Sequence, residues 1–448
     1  MALDPGDAGG WNNSGGILIS RGEPEAAAPM YEKACEHNPA YNMAYSNRLM
    51  CEQYLPGVSE ERLLELSSIW QARYAPAGKA AFHASRKPPD DGRLRLGFVS
   101  RDLKRAPVGY FLVGLFEALR GEAVSVVVYS DAEGPDDLTE RMRQAASHWR
   151  ETRPLSDEQL LSVVRDDAID VLFDLAGHTK ANRLPVFARR AAPIQVTWAG
   201  YVGTTGLDAM DFVLADRFQV PVASERFYRE RVLRMPHGYV CYEPPFYAPE
   251  VATLPALREG RITFGAFHNV AKIGAPSIAA WARVMARVPE SRIVLRYTNL
   301  DEPGAKQRML RSFASAGIAE ERIMVEGTSS HVDMLSRYND IDIALDSMPY
   351  SGGLTTCEAL WMGVPVVTLP GGTFAGRHSL SHLSNAGYPE WVATDLEDYV
   401  RIVANLARDF DGLATLRADL RRQMAASPLC DASRFAKDFL QLLRATAR

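Results

Sequence analysis

From residue 95 onward, short apolar runs alternate with longer stretches of helical period. RLGFVS at 95–100, the helical pattern VGYFLVGLFEALRG and then VSVVVYS at 124–130 read as strand, helix, strand. The alternation continues through IDVLFDLAG at 169–177, IQVTWAGY at 194–201 and FVLADR at 212–217, which predicts a doubly wound parallel sheet. After the proline-rich CYEPPFYAPEVATLPALREG a second series begins. ITFGAF at 262–267 is followed by the helical IAAWARVMARV, then RIVLRY, the helical KQRMLRSFASAG and RIMVEG, with DIALD and VPVVTLP as two further strands. The chain is therefore expected to be α/β, with two Rossmann-like halves facing a cleft. Residues 431–446 read as a closing amphipathic helix of the second half.

Ahead of these halves, Gly15, Gly22, Ala26, Tyr31, Ala34, Pro39 and Tyr45 follow a small, small, small, aromatic, small, proline, aromatic order. This is the pattern of tetratricopeptide (TPR) helix pairs, here about one and a half repeats, and an ordinary helical hairpin is the alternative. The polar, proline-interrupted ASRKPPDDGRLR at 84–95 reads as a linker. The expected division is a helical segment and linker at 1–90, a first Rossmann-like domain at 91–240 and a second at 241–448.

Composition narrows this little. The chain has 448 residues, 47% hydrophobic and 23% charged, with a formal net charge of −5. That balance argues against a general nucleic-acid or membrane-surface binder. Five scattered cysteines, without a C-x-x-C pair, suggest neither zinc nor a disulfide framework and fit a reducing, cytoplasmic setting. The first residues lack the basic and apolar regions of a signal peptide, so an unprocessed soluble chain is expected.

Candidate chemistry lies at the carboxyl ends of the predicted strands, where parallel sheets bind ligands and helix N-termini present unpaired N–H groups. In PYSGGLTTCEALWMGVPVVTLPGG, residues 349–372, Gly352 and Gly353 allow close backbone approach, while Thr355 and Thr356 can cap a helix starting near Glu358. A phosphate or diphosphate suits such a place; a simple capped turn is the bland alternative. Lys272, past ITFGAF, could neutralise a phosphate or be a solvated lysine. In the first half, Gly177, His178 and Thr179 in DLAGHTKANR, and Gly203, Thr204 and Thr205 in the next loop, are expected to face the cleft. His178 there is an acid–base candidate, with Asp174 as its alternative, or a structural loop histidine. Asp208 and Asp211 read as capping residues. The Asp-x-Asp of Asp340 and Asp342 reads as structural, and neither a P-loop nor a G-x-G-x-x-G motif is present.

The co-linear segments DLAGHTKANR, APIQVTWAGYVGTTG, YRERVLRMPHGYVCY, FHNVAKI, LDSMPYSGGLTTCEALWMGVPVVTLPG and AGRHSLSHLSNAG resemble the catalytic region of the O-linked N-acetylglucosamine transferase and SPINDLY family, over residues 93–440. The resemblance implies a GT-B fold, with the acceptor held by the domain at 91–240 and the donor by the domain at 241–448, and transfer of a sugar from a nucleoside diphosphate to Ser/Thr hydroxyls of a protein, by an inverting reaction without a metal or other cofactor. It implies that Lys272 contacts the donor diphosphate, with Asn269, Gly353, Leu354, Thr355 and Thr356 beside the donor and His331 near its nucleoside. Two departures stand out. The family's His-Pro after the first strand reads Ala106-Pro107 here, and the phosphate loop GGLTTCEALW is closer to the SPINDLY branch, which leaves UDP-N-acetylglucosamine and a GDP sugar both open. The alternatives are a degenerate nucleotide-binding scaffold and an O-fucosyl or N-glycosyl transferase of the same fold.

Overall fold

The computed structural model describes residues 6–76, 82, 92–298, 300–327 and 330–446. Most of the expected linker, 84–91, lies outside the described residues. The first sheet is built from β1 (Leu94–Ser100), β2 (Val124–Ser130), β3 (His148–Glu151), β4 (Val171–Asp174), β5 (Ile194–Thr197), β6 (Phe212–Ala215) and β7 (Arg231–Arg234). Its strands run parallel in the order β3-β2-β1-β4-β5-β6-β7. The second sheet, β8 (Thr263–Ala266), β9 (Arg292–Arg296), β10 (Ile323–Glu326), β11 (Ile343–Leu345) and β12 (Val366–Val367), is parallel in the order β10-β9-β8-β11-β12.

Both sheets reverse strand order beside their first strand, between β1 and β4 and between β8 and β11. Such switch points open a crevice at the carboxyl ends of the strands. The central strands β4 and β6 are buried along their whole length, as helices on both faces require, and this is why their sequences are continuously apolar. The exposed β3, HWRE, and the partly exposed β7, RVLR, are edge strands whose polar sequences gave no apolar run to read.

Among the described residues four consecutive helices precede the sheets: Ala8–Ser20, Pro24–His37, Asn42–Glu52 and Glu60–Tyr74. Gly15 is small because the Tyr31 ring packs on it; a Cβ there would lie 2.7 Å from that ring. The fully buried Trp70 joins Val99, Tyr129 and Leu172 in the core of the first sheet. The segment also reaches the second half. Glu23 pairs with Arg308 at 3.0 Å and Glu60 with Arg377 at 3.0 Å, and Tyr54 stacks on Tyr350 with centroids 5.4 Å apart. It therefore spans both sheets as part of one structure.

The C-terminal helix, Ala432–Thr446, differs from expectation. It crosses back to the first sheet, where Phe435 and Phe439 lie 6.0 and 5.5 Å from Trp198 and Phe439 lies 5.4 Å from Phe173. An amphipathic face shows that a helix must be covered but not by which sheet.

Candidate functional site

A cavity of about 590 Å³ lies between the two sheets, beneath the N-terminal helices. The second sheet supplies its floor. The chain leaving β8 turns through Asn269, whose Oδ1 accepts from the Ala271 amide at 3.0 Å, and this short turn presents Lys272. The chain leaving β11 passes Asp346, a buried carboxylate that accepts from the Ser347 and Gly352 amides at 2.9 and 2.7 Å and from the Thr368 hydroxyl at 2.6 Å. Asp346 thus fixes both ends of the loop 347–352, and Ser351 in that loop accepts a hydrogen bond from Lys272 Nζ through its carbonyl at 2.9 Å. The same ammonium stands 3.7 Å over the Tyr350 ring. Burial pushes the Lys272 amine down to about 7, with Asp346 pulling the other way.

Immediately after this loop the helix Leu354–Trp361 begins, with Gly353 as its N-cap. The expected helix start near Glu358 is corrected by about one turn, and the cap is the glycine rather than a threonine. Gly353, Leu354 and Thr355 line the cavity, and a Cβ on Gly353 would meet nothing within 4 Å. Gly352 is different: a Cβ there would lie 2.5 Å from the Thr356 hydroxyl. Thr356 points away from the cavity, bonded to Gly352 O at 3.1 Å and Ser379 Oγ at 2.8 Å, and ties this helix to the next one, His378–Ala386. The first N–H groups of a helix have no partner within it and carry the positive end of its dipole. A half-buried ammonium and a helix N-terminus therefore converge on one crevice, a combination suited to a diphosphate.

His331 lines the same cavity, but both its ring nitrogens are engaged by the protein. Nδ1 meets the hydroxyls of Tyr247 and Tyr110 at 2.9 and 3.2 Å, and Nε2 meets Glu358 Oε1 at 2.7 Å. Its ring face is what remains for a ligand. Burial raises the Glu358 carboxyl above the usual range, and His331 opposes that rise. From the first half come Ala106, which caps the helix Pro107–Ala118, and Pro107 itself. The N-terminal segment contributes Tyr54, from the turn after the helix Asn42–Glu52.

Of the two first-half loops expected to face the cleft, the first does not line it and the second does so only through Ala199, Gly200 and Val202, so the placement of Gly177, His178, Thr179, Gly203, Thr204 and Thr205 is corrected. His178 is fully buried; its Nδ1 meets Ser46 Oγ at 3.1 Å and its Nε2 donates to Thr205 O at 2.8 Å. Trp70 and Tyr201 meet its ring edge-on. Burial holds its pKa down at about 4, so the imidazole is neutral and enclosed. Gly177 has a left-handed φ of 50° under the Tyr201 ring. The Thr179 hydroxyl turns back to Ala176 O at 2.7 Å. Thr204 and Thr205 give their hydroxyls to the buried Glu230. Asp174 accepts from the Ala176 and Gly177 amides and from Thr197, and burial raises its carboxyl to about 6. The N-terminal helices cover this crevice, which the strand pattern alone could not reveal. Asp342 accepts from the Ala256 and Thr263 amides, the structural part expected of it.

Among the cavity residues that escaped the sequence reading are Tyr54, Tyr350, His268 and His378. His268 donates from Nε2 to Leu345 O at 3.0 Å, leaving a buried Nδ1 without a partner. A histidine directly preceding Asn269 and another at the start of a helix beside the GG turn were the available signals.

Comparison with known proteins agrees with this geometry. Glycosyl transferase family 41 matches residues 73–243 and 252–439. A Petunia hybrida protein named probable UDP-N-acetylglucosamine–peptide N-acetylglucosaminyltransferase SPINDLY is 33% identical over 92% of this chain and 45% of its own length. The Arabidopsis thaliana protein of the same name is 33% identical over 89% of this chain and 44% of its own. The chain thus spans about half the length of the curated relatives it matches. Among solved structures, a mutant of the Thermobaculum terrenum O-GlcNAc transferase superposes with a TM-score of 0.93 and 37% identity, over 99% of this chain and 85% of that one. The sucrose-phosphate synthase of Thermosynechococcus elongatus shares the fold alone, at 15% identity and a TM-score of 0.52 over 79% of this chain and 99% of that one. The two facing parallel sheets have the GT-B architecture, and the chain belongs to glycosyl transferase family 41.

Proposed function

We propose that this protein is an inverting glycosyltransferase that moves a sugar such as N-acetylglucosamine from a nucleoside diphosphate to Ser/Thr hydroxyls of a protein, in the cytoplasm and without a metal or other cofactor. The observation that carries the reading is the convergence of Lys272 and the N-terminus of helix Leu354–Trp361 on the crevice after β8 and β11. The names of the relatives, which specify a UDP-N-acetylglucosamine donor and a peptide acceptor, support it. No helix among the described residues is long and apolar enough to cross a membrane.

The acceptor hydroxyl attacks C1 as the bond from C1 to the diphosphate oxygen breaks, so negative charge grows on the leaving group. Lys272 and the N–H groups at Gly353, Leu354 and Thr355 are placed to receive that charge, and each preorganised donor of this kind supplies about 2–4 kcal/mol at the transition state. With His178 sealed behind the N-terminal helices and Ala106 at the cavity wall, the acceptor's proton passes to the departing diphosphate. Metal independence follows the same reasoning: the lysine and the helix terminus meet the charge that a divalent cation would otherwise neutralise.

A scaffold that binds nucleotide without transferring sugar is the second reading, favoured by Ala106, which brings no functional group to the cavity. The test is incubation with UDP-N-acetylglucosamine or GDP-fucose and candidate acceptor proteins, followed by mass spectrometry of the product. Addition of N-acetylglucosamine to Ser or Thr is expected. Fucose or an asparagine linkage would move the protein to another activity of this fold, and nucleotide binding without any product would identify the scaffold.

A further inference from the structure

A side chain of the cavity that the reaction scheme leaves unused is His378, the first residue of the helix His378–Ala386. Its imidazole is 5% exposed and lines the cavity. Its amide bonds Ser351 Oγ at 3.0 Å, and Ser351 is the residue whose carbonyl receives Lys272 Nζ. The imidazole and the ammonium therefore flank one loop residue.

The ring's tautomer follows from its partners. Gln219 Nε2 and the Tyr239 hydroxyl lie 3.0 and 2.8 Å from Nδ1. With the amide nitrogen of Gln219 rather than its oxygen toward the ring, Nδ1 accepts and the ring proton sits on Nε2. One buried carboxylate holds the whole arrangement. Asp216 accepts from the Gln219 amide at 2.8 Å, from the Tyr239 amide at 3.0 Å and from the hydroxyl of Ser381, one turn along the helix from His378. Both donors to the ring and the helix that bears it are thus referred to a single group. Burial, then Lys272 and His382, keep the imidazole neutral.

We propose that His378 is a ligand-contacting residue that donates its Nε2 proton to a diphosphate oxygen of the donor substrate. This rests on the glycosyltransferase reading above. Its counterpart Lys272 supplies charge, whereas His378 supplies direction, since an imidazole N–H fixed by Gln219 and Tyr239 can bond only along one line.

Calorimetric titration with UDP and GDP tests it, using wild type, His378→Leu and His378→Gln, each shown by circular dichroism to be folded. The nucleotide that binds should lose about tenfold or more in affinity with His378→Leu. His378→Gln, which keeps an N–H donor, should recover at least about threefold of that loss. Equal binding by wild type and His378→Leu would overturn the proposal while leaving the donor site intact. Absence of binding of either nucleotide to wild type would instead overturn the donor reading on which it rests. Independently, histidine-selective 15N NMR, assigned by the signal missing in His378→Gln, should show an Nε2-protonated neutral ring between about pH 5.5 and 8. An Nδ1-protonated or charged ring in that range would contradict the assignment.

Discussion

The stretch Gly203–Gly206, GTTG, and the stretch Gly352–Thr356, GGLTT, are alike in composition and both follow strands of a parallel sheet, yet they have opposite fates. In the first, Thr204 and Thr205 are consumed by the buried Glu230, and Gly206, at φ 73°, lies against Ser67 of the helix Glu60–Tyr74. In the second, Gly353, Leu354 and Thr355 open onto the cavity. The histidines repeat the contrast: His178 is locked between Ser46 and Thr205, whereas His378 faces the ligand space. A Gly/Thr-rich loop at a strand's carboxyl end is thus a binding site only where nothing else covers it. In the first half the covering element is the N-terminal helical segment.

That contrast can be broken from either side. The largest effect expected is on the covered side, through acid. His178 has its pKa held at about 4 against an ordinary value near 6.5, so it is neutral when folded and takes up a proton on unfolding. A depressed folded-state value gives stability that is whole above about pH 6.5 and is lost as pH falls toward 4, about 3 kcal/mol for this group. Chemical denaturation across that range should show the loss, and His178→Gln should flatten it. On the open side, Lys272→Ala should slow transfer about a hundredfold, near 2.7 kcal/mol, without lowering the melting temperature. A rate within about threefold of wild type would remove Lys272 from the reaction.

Smaller effects sharpen the division. Glu230→Ala leaves two threonine hydroxyls and the Thr205 amide without their acceptor and should cost about 2 kcal/mol of stability, read by denaturant melts. Nucleotide affinity in the folded variant should stay unchanged. Tyr54→Ala removes the ring stacked on Tyr350, whose face carries the Lys272 ammonium, and should cost about 1 kcal/mol of nucleotide binding. Loss of stability alone, with affinity intact, would make Tyr54 a packing residue.

The sequence carried most of the fold because buried parallel strands leave continuous apolar runs, and β3 and β7 were missed because edge strands do not. It also pointed at Lys272 and the GGLTT loop, since both are local features at a strand end. His378 and Tyr54 reach the cavity through tertiary contacts between segments far apart in the chain, with no local pattern to announce them. His178 was misplaced for the converse reason: its loop has the composition of a site, and the helices that close it lie more than a hundred residues earlier, Ser46 among them.

The central claim is that Lys272 holds the donor diphosphate, and its depressed pKa makes this directly measurable. At about pH 8 an amine titrating near 7 is mostly neutral, and a bound diphosphate should recharge it. Calorimetry of UDP and GDP in buffers of different ionisation enthalpy should therefore show close to one proton taken up per nucleotide bound, absent from Lys272→Ala. Binding without proton uptake, or with the same uptake in the variant, would contradict it.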